Sequence, residues 1–145
     1  MASVSAPASE AWSDTAAWQG LVERHGRLFE PWIDGAAVGL VPRAAADAGA
    51  GRMLAWVRRG GMMHVETRPF GGFGDCGVAV LFVAEPGALE GIHERLDDNA
   101  LGAMKLMLRQ GGMLLYVLAP KSQLLDDGYE DFLETLGLAF MGACR

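Results

Sequence analysis

The sequence predicts an α+β domain of mixed α/β character, with a single, mostly antiparallel central sheet flanked by helices. Two uncharged apolar runs, residues 76–84 and 113–119, have the length and punctuation of buried strands. Alternating residues on either side of Gly60-Gly61 read as a β-hairpin. Apolar residues at helical spacing precede the hairpin and separate the two runs. At 145 residues and 51% apolar, the chain fits one domain with a substantial core. Residues 1–9 read as a flexible tail and residues 10–145 as the domain.

The first helix starts at Ser13 or Asp14, both good N-caps, and carries Ala17, Trp18, Leu21, Val22, His25, Leu28 and Phe29 on one stripe. Pro31 closes it. Residues 36–41 form a short apolar strand ended by Pro42, and residues 43–51 read as a loop or one frayed turn. The hairpin pairs residues 52–59 with 62–68; its second strand sets Met63, Val65 and Thr67 on one face and Met62, His64 and Glu66 on the other. A Gly-rich loop over 69–75 leads into the first apolar run. A helical stripe of Leu89, Ile92, Leu96, Met104, Met107 and Leu108 follows, with a restart at Asp98 or Asn99, and Gly111-Gly112 ends it. After the second run, Asp126 or Asp127 caps a last helix carrying Tyr129, Phe132, Leu133 and Leu136. Gly137 stops that helix, and residues 138–143 suit a closing strand. The expected order is α-β-β-β-β-α-β-α-(β).

Charge and cysteine usage narrow the function classes. A net charge of −6 argues against a nucleic-acid partner, and no apolar run approaches the roughly 20 residues of a membrane helix. The charge is uneven: seven arginines face four acids between Arg24 and Arg68, whereas ten acids face four bases between Glu85 and Glu134. Such a bipolar surface suits an oppositely charged protein partner. Cys76 and Cys144, far apart and without CxxC spacing, read as reduced thiols, and the expected location is the cytoplasm. Cys76 opens an apolar strand and is read as structural. His64 and Glu66 share a strand face but lack a third ligand, so no metal site is expected.

The tail of the chain resembles a known family. Leu114-Leu115-Tyr116-Val117, then Tyr129-Glu130-Asp131-Phe132-Leu133-Glu134-Thr135-Leu136-Gly137-Leu138, are similar to the strand, the helix ending in Leu-Gly-Phe and the closing strand of the GNAT acyltransferase superfamily. The resemblance covers residues 52–145. It implies acetyl-CoA as cofactor, with Glu66 or a neighbour as a base for an amine and Tyr129 as the candidate acid; independently, the strand-to-helix turn at Gly87 and Gly91 offers backbone N–H groups to a phosphate. Two departures stand out. Residues 86–93 do not match the family's Gln/Arg-x-x-Gly-x-Gly/Ala segment, and Leu133 stands where its tyrosine is usual.

The expectation is therefore a GNAT-like domain that acts by protein association, including self-association, without the chemistry. The alternatives are an active acetyl-CoA-dependent N-acyltransferase and an acidic secretion-type chaperone. Tryptophan favours binding hot spots, so Trp12, Trp18 and Trp32 are the candidate partner-binding residues. Trp12 precedes the first helix and Trp32 follows its terminating proline, positions that leave both available at the surface.

Overall fold

The computed structural model describes residues 11–138. The tail expected over 1–9 lies outside them, as does the expected closing strand apart from Leu138. A 3-10 turn, Ala11–Ser13, leads into helix α1 (Thr15–Arg24), whose N-cap Asp14 accepts a hydrogen bond from the Ala16 N–H. His25 interrupts the helix, and α2 (Gly26–Phe29) completes it as a single turn. Strand β1 (Ala37–Pro42), helix α3 (Arg43–Ala48), strand β2 (Gly51–Arg59) and strand β3 (Met62–Phe70) follow. A 3-10 turn at Phe73–Asp75 precedes strand β4 (Val80–Ala84), helices α4 (Ala88–His93) and α5 (Ala100–Gln110), strand β5 (Met113–Val117) and helices α6 (Lys121–Asp126) and α7 (Glu130–Thr135). No helix among the described residues is long and apolar enough to cross a membrane.

Among the described residues, five strands form one sheet in the order β3-β2-β1-β4-β5. All neighbours are antiparallel except β1 and β4, which run parallel with Val38 beside Val80 and Val41 beside Val83. The hairpin forms where expected, because Gly60 (φ 64°) and Gly61 (φ 78°) supply the two positive φ angles of a tight turn. The central strand is β1, with Ala37 to Val41 buried on both faces; β4 beside it is equally sealed.

Each face has its own core. On one side, Val38, Leu40, Leu54, Trp56, Val80 and Phe82 meet the long helical layer, represented by Trp18, Ile92, Met104 and Phe132. On the other, Ala37, Val41, Met53, Ala55, Leu81 and Val83 lie under Ala45 of α3 and under Cys76 and Val78 of the loop that leads into β4. Gly39 lets this second layer close: a Cβ there would lie 2.6 Å from the Met53 sulfur and 3.2 Å from Leu81 Cδ1.

Several elements differ from expectation. Residues 43–48 are helical, since Arg43 pairs with Asp47 one turn on and with Glu85, while Ala45 packs on the sheet. The strand expected from residue 76 begins only at Val80, because Cys76 and Val78 are buried as a lid over the second face. The helical stripe divides at Asn99 (φ 46°), whose side chain does not cap α5. A further helix, α6, follows Pro120, and the last helix starts later than expected, after Tyr129. Most consequential is β5. Its apolar run implied burial, yet it occupies the sheet border, and only Met113 is fully buried.

Replacing Gly39 with alanine should lower the free energy of unfolding by about 1–3 kcal/mol, as overpacking does in a closed core. A urea titration showing an unchanged midpoint would contradict this packing.

Candidate functional site

Glu66 lies on the border strand β3 between two guanidinium groups. Its Oε2 accepts from Arg68 Nε at 2.8 Å and its Oε1 from Arg59 Nη1 at 3.2 Å. The Arg68 hydrogen bond, with a smaller contribution from Arg59, holds the Glu66 carboxyl below its ordinary range. An engaged, weakened base of this kind suits a surface clasp between alternate residues of a strand. His64 Nε2 lies 3.3 Å from the Arg59 carbonyl oxygen.

Tyr129 is buried elsewhere, in the helical layer, where its hydroxyl accepts from the Ala37 N–H at 2.7 Å and lies 3.2 Å from the Ala37 carbonyl oxygen. Burial pushes its phenol up to about 12, so it holds its proton throughout the neutral range. It secures the first residue of β1 to a helix 92 positions away in sequence. Glu66 and Tyr129 are not brought together.

Gly87 (φ 86°) opens the six-residue α4 and Gly91 lies within it. The nearby cavity is about 60 Å³, lined by Trp12, Glu85, Glu90 and their neighbours. That volume is too small for a pyrophosphate, and two carboxylates border it.

The surface role expected of the tryptophans must be corrected. Trp12 is 4% exposed, Trp32 is 3% exposed and Trp18 is fully buried. The Trp18 indole N–H donates to the Trp12 carbonyl, which draws the residues before α1 onto the core. Beyond Pro31 the chain turns back inward, and Trp32 packs edge-on against Phe29 at 4.9 Å and beside Tyr129 at 4.9 Å. The indole N–H groups of Trp32 and Trp56 find no acceptor, and edge-to-face packing against Phe29 and Phe132 offsets that cost.

A groove of about 830 Å³ runs between α1–α2 and the hairpin and is lined by Glu23, Arg24, Arg27, Glu30, Arg58 and Met62 among others. Its charges are mixed and partly committed: Arg24 donates to the Leu96 carbonyl and Arg58 to the Phe29 carbonyl at 2.9 Å. The arrangement resembles a solvated seam between helix and strand.

The two borders of the sheet are built differently. On β3, the Gln19 side chain of α1 acts as a strand substitute: its Oε1 accepts from the Val65 N–H and its Nε2 donates to the Met63 carbonyl, both at 2.8 Å. The same strand carries His64, Glu66, Arg68 and Pro69, residues that discourage strand addition. On β5, Met113-Leu114-Leu115-Tyr116-Val117 carries no charge and no proline. Tyr116 is 39% exposed and Val117 51%, with Leu114, Leu118 and Leu106 of α5 exposed nearby.

The ladder fixes which backbone groups face outward. Bonds from the Glu85 N–H to the Gly112 carbonyl (2.9 Å) and from the Leu118 N–H to the Ala79 carbonyl (2.8 Å) bracket the β4–β5 pairing. With the observed register, the alternation of an antiparallel ladder points Leu114 and Tyr116 at β4. Met113, Leu115 and Val117 therefore direct their N–H and C=O groups away from the sheet. The sequence does not distinguish this border, because an exposed apolar strand and a buried one read alike. The missing information is the strand order.

No protein-family model and no curated protein matches this chain. Among solved structures it is similar to the solution structure of a conserved hypothetical protein from Thermus thermophilus, described as possibly a sterol carrier protein. The identity is 14%, the TM-score is 0.43, and the match covers 88% of this chain and 85% of that one. A likeness of that size does not establish a shared fold or function.

Tyr129→Phe should destabilise the fold by about 1–2 kcal/mol at neutral pH by removing a buried hydrogen-bonding hydroxyl. Because the folded phenol titrates above the unfolded one, its contribution is complete below about pH 10 and lost as pH rises through about 12. Chemical denaturation across pH 8–12 should show a smaller alkaline loss in the variant than in the wild type.

Proposed function

We propose that this chain is a GNAT-like domain without acyl-transfer chemistry, which acts in the cytoplasm by protein association through the β5 border. The observation that carries this reading is the contrast between the two borders. The β3 side is charged, and Gln19 takes its Val65 N–H and Met63 carbonyl. The β5 side presents an uncharged apolar strand with outward-facing peptide groups. Long, exposed apolar borders invite strand pairing, and adding a strand supplies main-chain hydrogen bonds together with side-chain burial. The buried free thiol of Cys76 suits a reducing compartment.

The acyltransferase alternative finds no comparable support. Glu66 is clasped by two arginines, Tyr129 is bonded to the backbone, and the space beside Gly87 is small and acid-lined.

Two measurements on the full chain test the proposal. Millimolar acetyl-CoA should leave the melting temperature unchanged, since a ligand that binds only the folded state must raise it. An extended Val/Thr heptapeptide at millimolar concentration, added to the chain diluted until it is not self-associated, should slow amide exchange at Met113, Leu115 and Val117 and leave Val65 unaffected. A clear thermal shift with acetyl-CoA, or no protection of β5, would overturn the reading.

A further inference from the structure

Building on the association reading, we infer that the occupant of the β5 border is a second copy of this chain, paired antiparallel about a two-fold axis at Leu115. The outward-facing residues are Met113, Leu115 and Val117, evenly placed around Leu115. A two-fold axis there sets Met113 opposite the second copy's Val117 and Leu115 opposite itself. Both members of every such pair turn N–H and C=O toward each other, so each exchanges two hydrogen bonds without any shift of register. An arbitrary foreign strand meets this condition only in a matching frame, whereas a second copy meets it by symmetry.

Side chains agree with the backbone. The intervening residues place Leu114 of one copy against Tyr116 of the other, in the pair type where side chains approach most closely. Both are half-exposed apolar residues in the single chain. The Tyr116 ring is already oriented by an edge-to-face contact with Phe73 at 4.8 Å. No charge lies on the strand, so pairing brings no like charges together. Leu118, next in alternation after Leu114 and Tyr116, is exposed just beyond the strand, and Leu106 of α5 is exposed on the helical layer. The product is an isologous dimer with one sheet running through both copies. Its ends are the two β3 borders, each blocked by Gln19.

Sedimentation equilibrium of the full chain, combined with cysteine pairing in a Cys76→Ala, Cys144→Ala background, tests the geometry. The expected mass is that of two chains. Leu115→Cys should cross-link to itself under mild oxidation, since directly opposed Cα atoms lie at about 5.5 Å, within disulfide reach. Leu114→Cys should cross-link to Tyr116→Cys in a mixture of the two variants and poorly to itself. Val117→Pro removes only an outward-facing donor and should weaken dimerisation by about tenfold or more, with the melting temperature nearly retained. Val117→Lys, at an exposed position, provides a second route to the same loss should the proline disturb the strand.

Three outcomes overturn the inference. A monomer at all concentrations that still shows heptapeptide protection at β5 removes the second copy and leaves the association reading intact. A monomer without that protection removes both. A dimer indifferent to Val117→Pro and Val117→Lys, or one cross-linked in another register, places the contact elsewhere.

Discussion

Both faces of β1 are sealed from water, and the arrangement of the rest of the chain follows from how that seal is made. A strand buried on both faces needs a layer above and a layer below. The upper layer draws on helices from both ends of the described chain, so Trp18 and Phe132 share one core. The lower layer is thin: α3, the lid around Cys76 and Val78, and a close fit of Met53 and Leu81 over Gly39. Tyr129 ties the first residue of the same strand to the helical layer, joining the vertical packing to the lateral ladder.

Local features of this architecture were legible in the sequence and long-range ones were not. Asp14, Gly60-Gly61, Pro42 and Gly137 act through their own backbone or nearest neighbours, and the elements they delimit stand close to where they were expected. The alternation of Met63, Val65 and Thr67 likewise depends only on the pleat. Trp12 and Trp32 failed as surface anchors because their burial depends on contacts with Trp18, Tyr129 and Phe29 after the chain turns back. Glu66 and Tyr129 have acid–base roles only through the family resemblance. Their partners decide what each can do: two arginines for one, a backbone amide far away in sequence for the other.

The β5 strand shows the same limit most clearly. Hydrophobicity records a preference for leaving water without recording what supplies the cover. Residues 80–84 and 113–117 are similar in composition, and each forms a five-residue strand. Their difference lies in rank within the sheet: among the described residues, β4 has a strand on each side and β5 has one. Rank is a property of topology, set by the parallel crossover that brings β4 beside β1.

The Gln19 contact has a consequence best put in the language of polymer chemistry. A building block with two reactive ends grows into chains of unlimited length, whereas a block with one reactive end stops at a pair. The carboxamide of Gln19 copies the donor and acceptor of a peptide group and occupies the β3 terminus from within the same molecule. The middle of β3 is thereby closed, and the outward peptide groups of the sheet that stay open lie on β5.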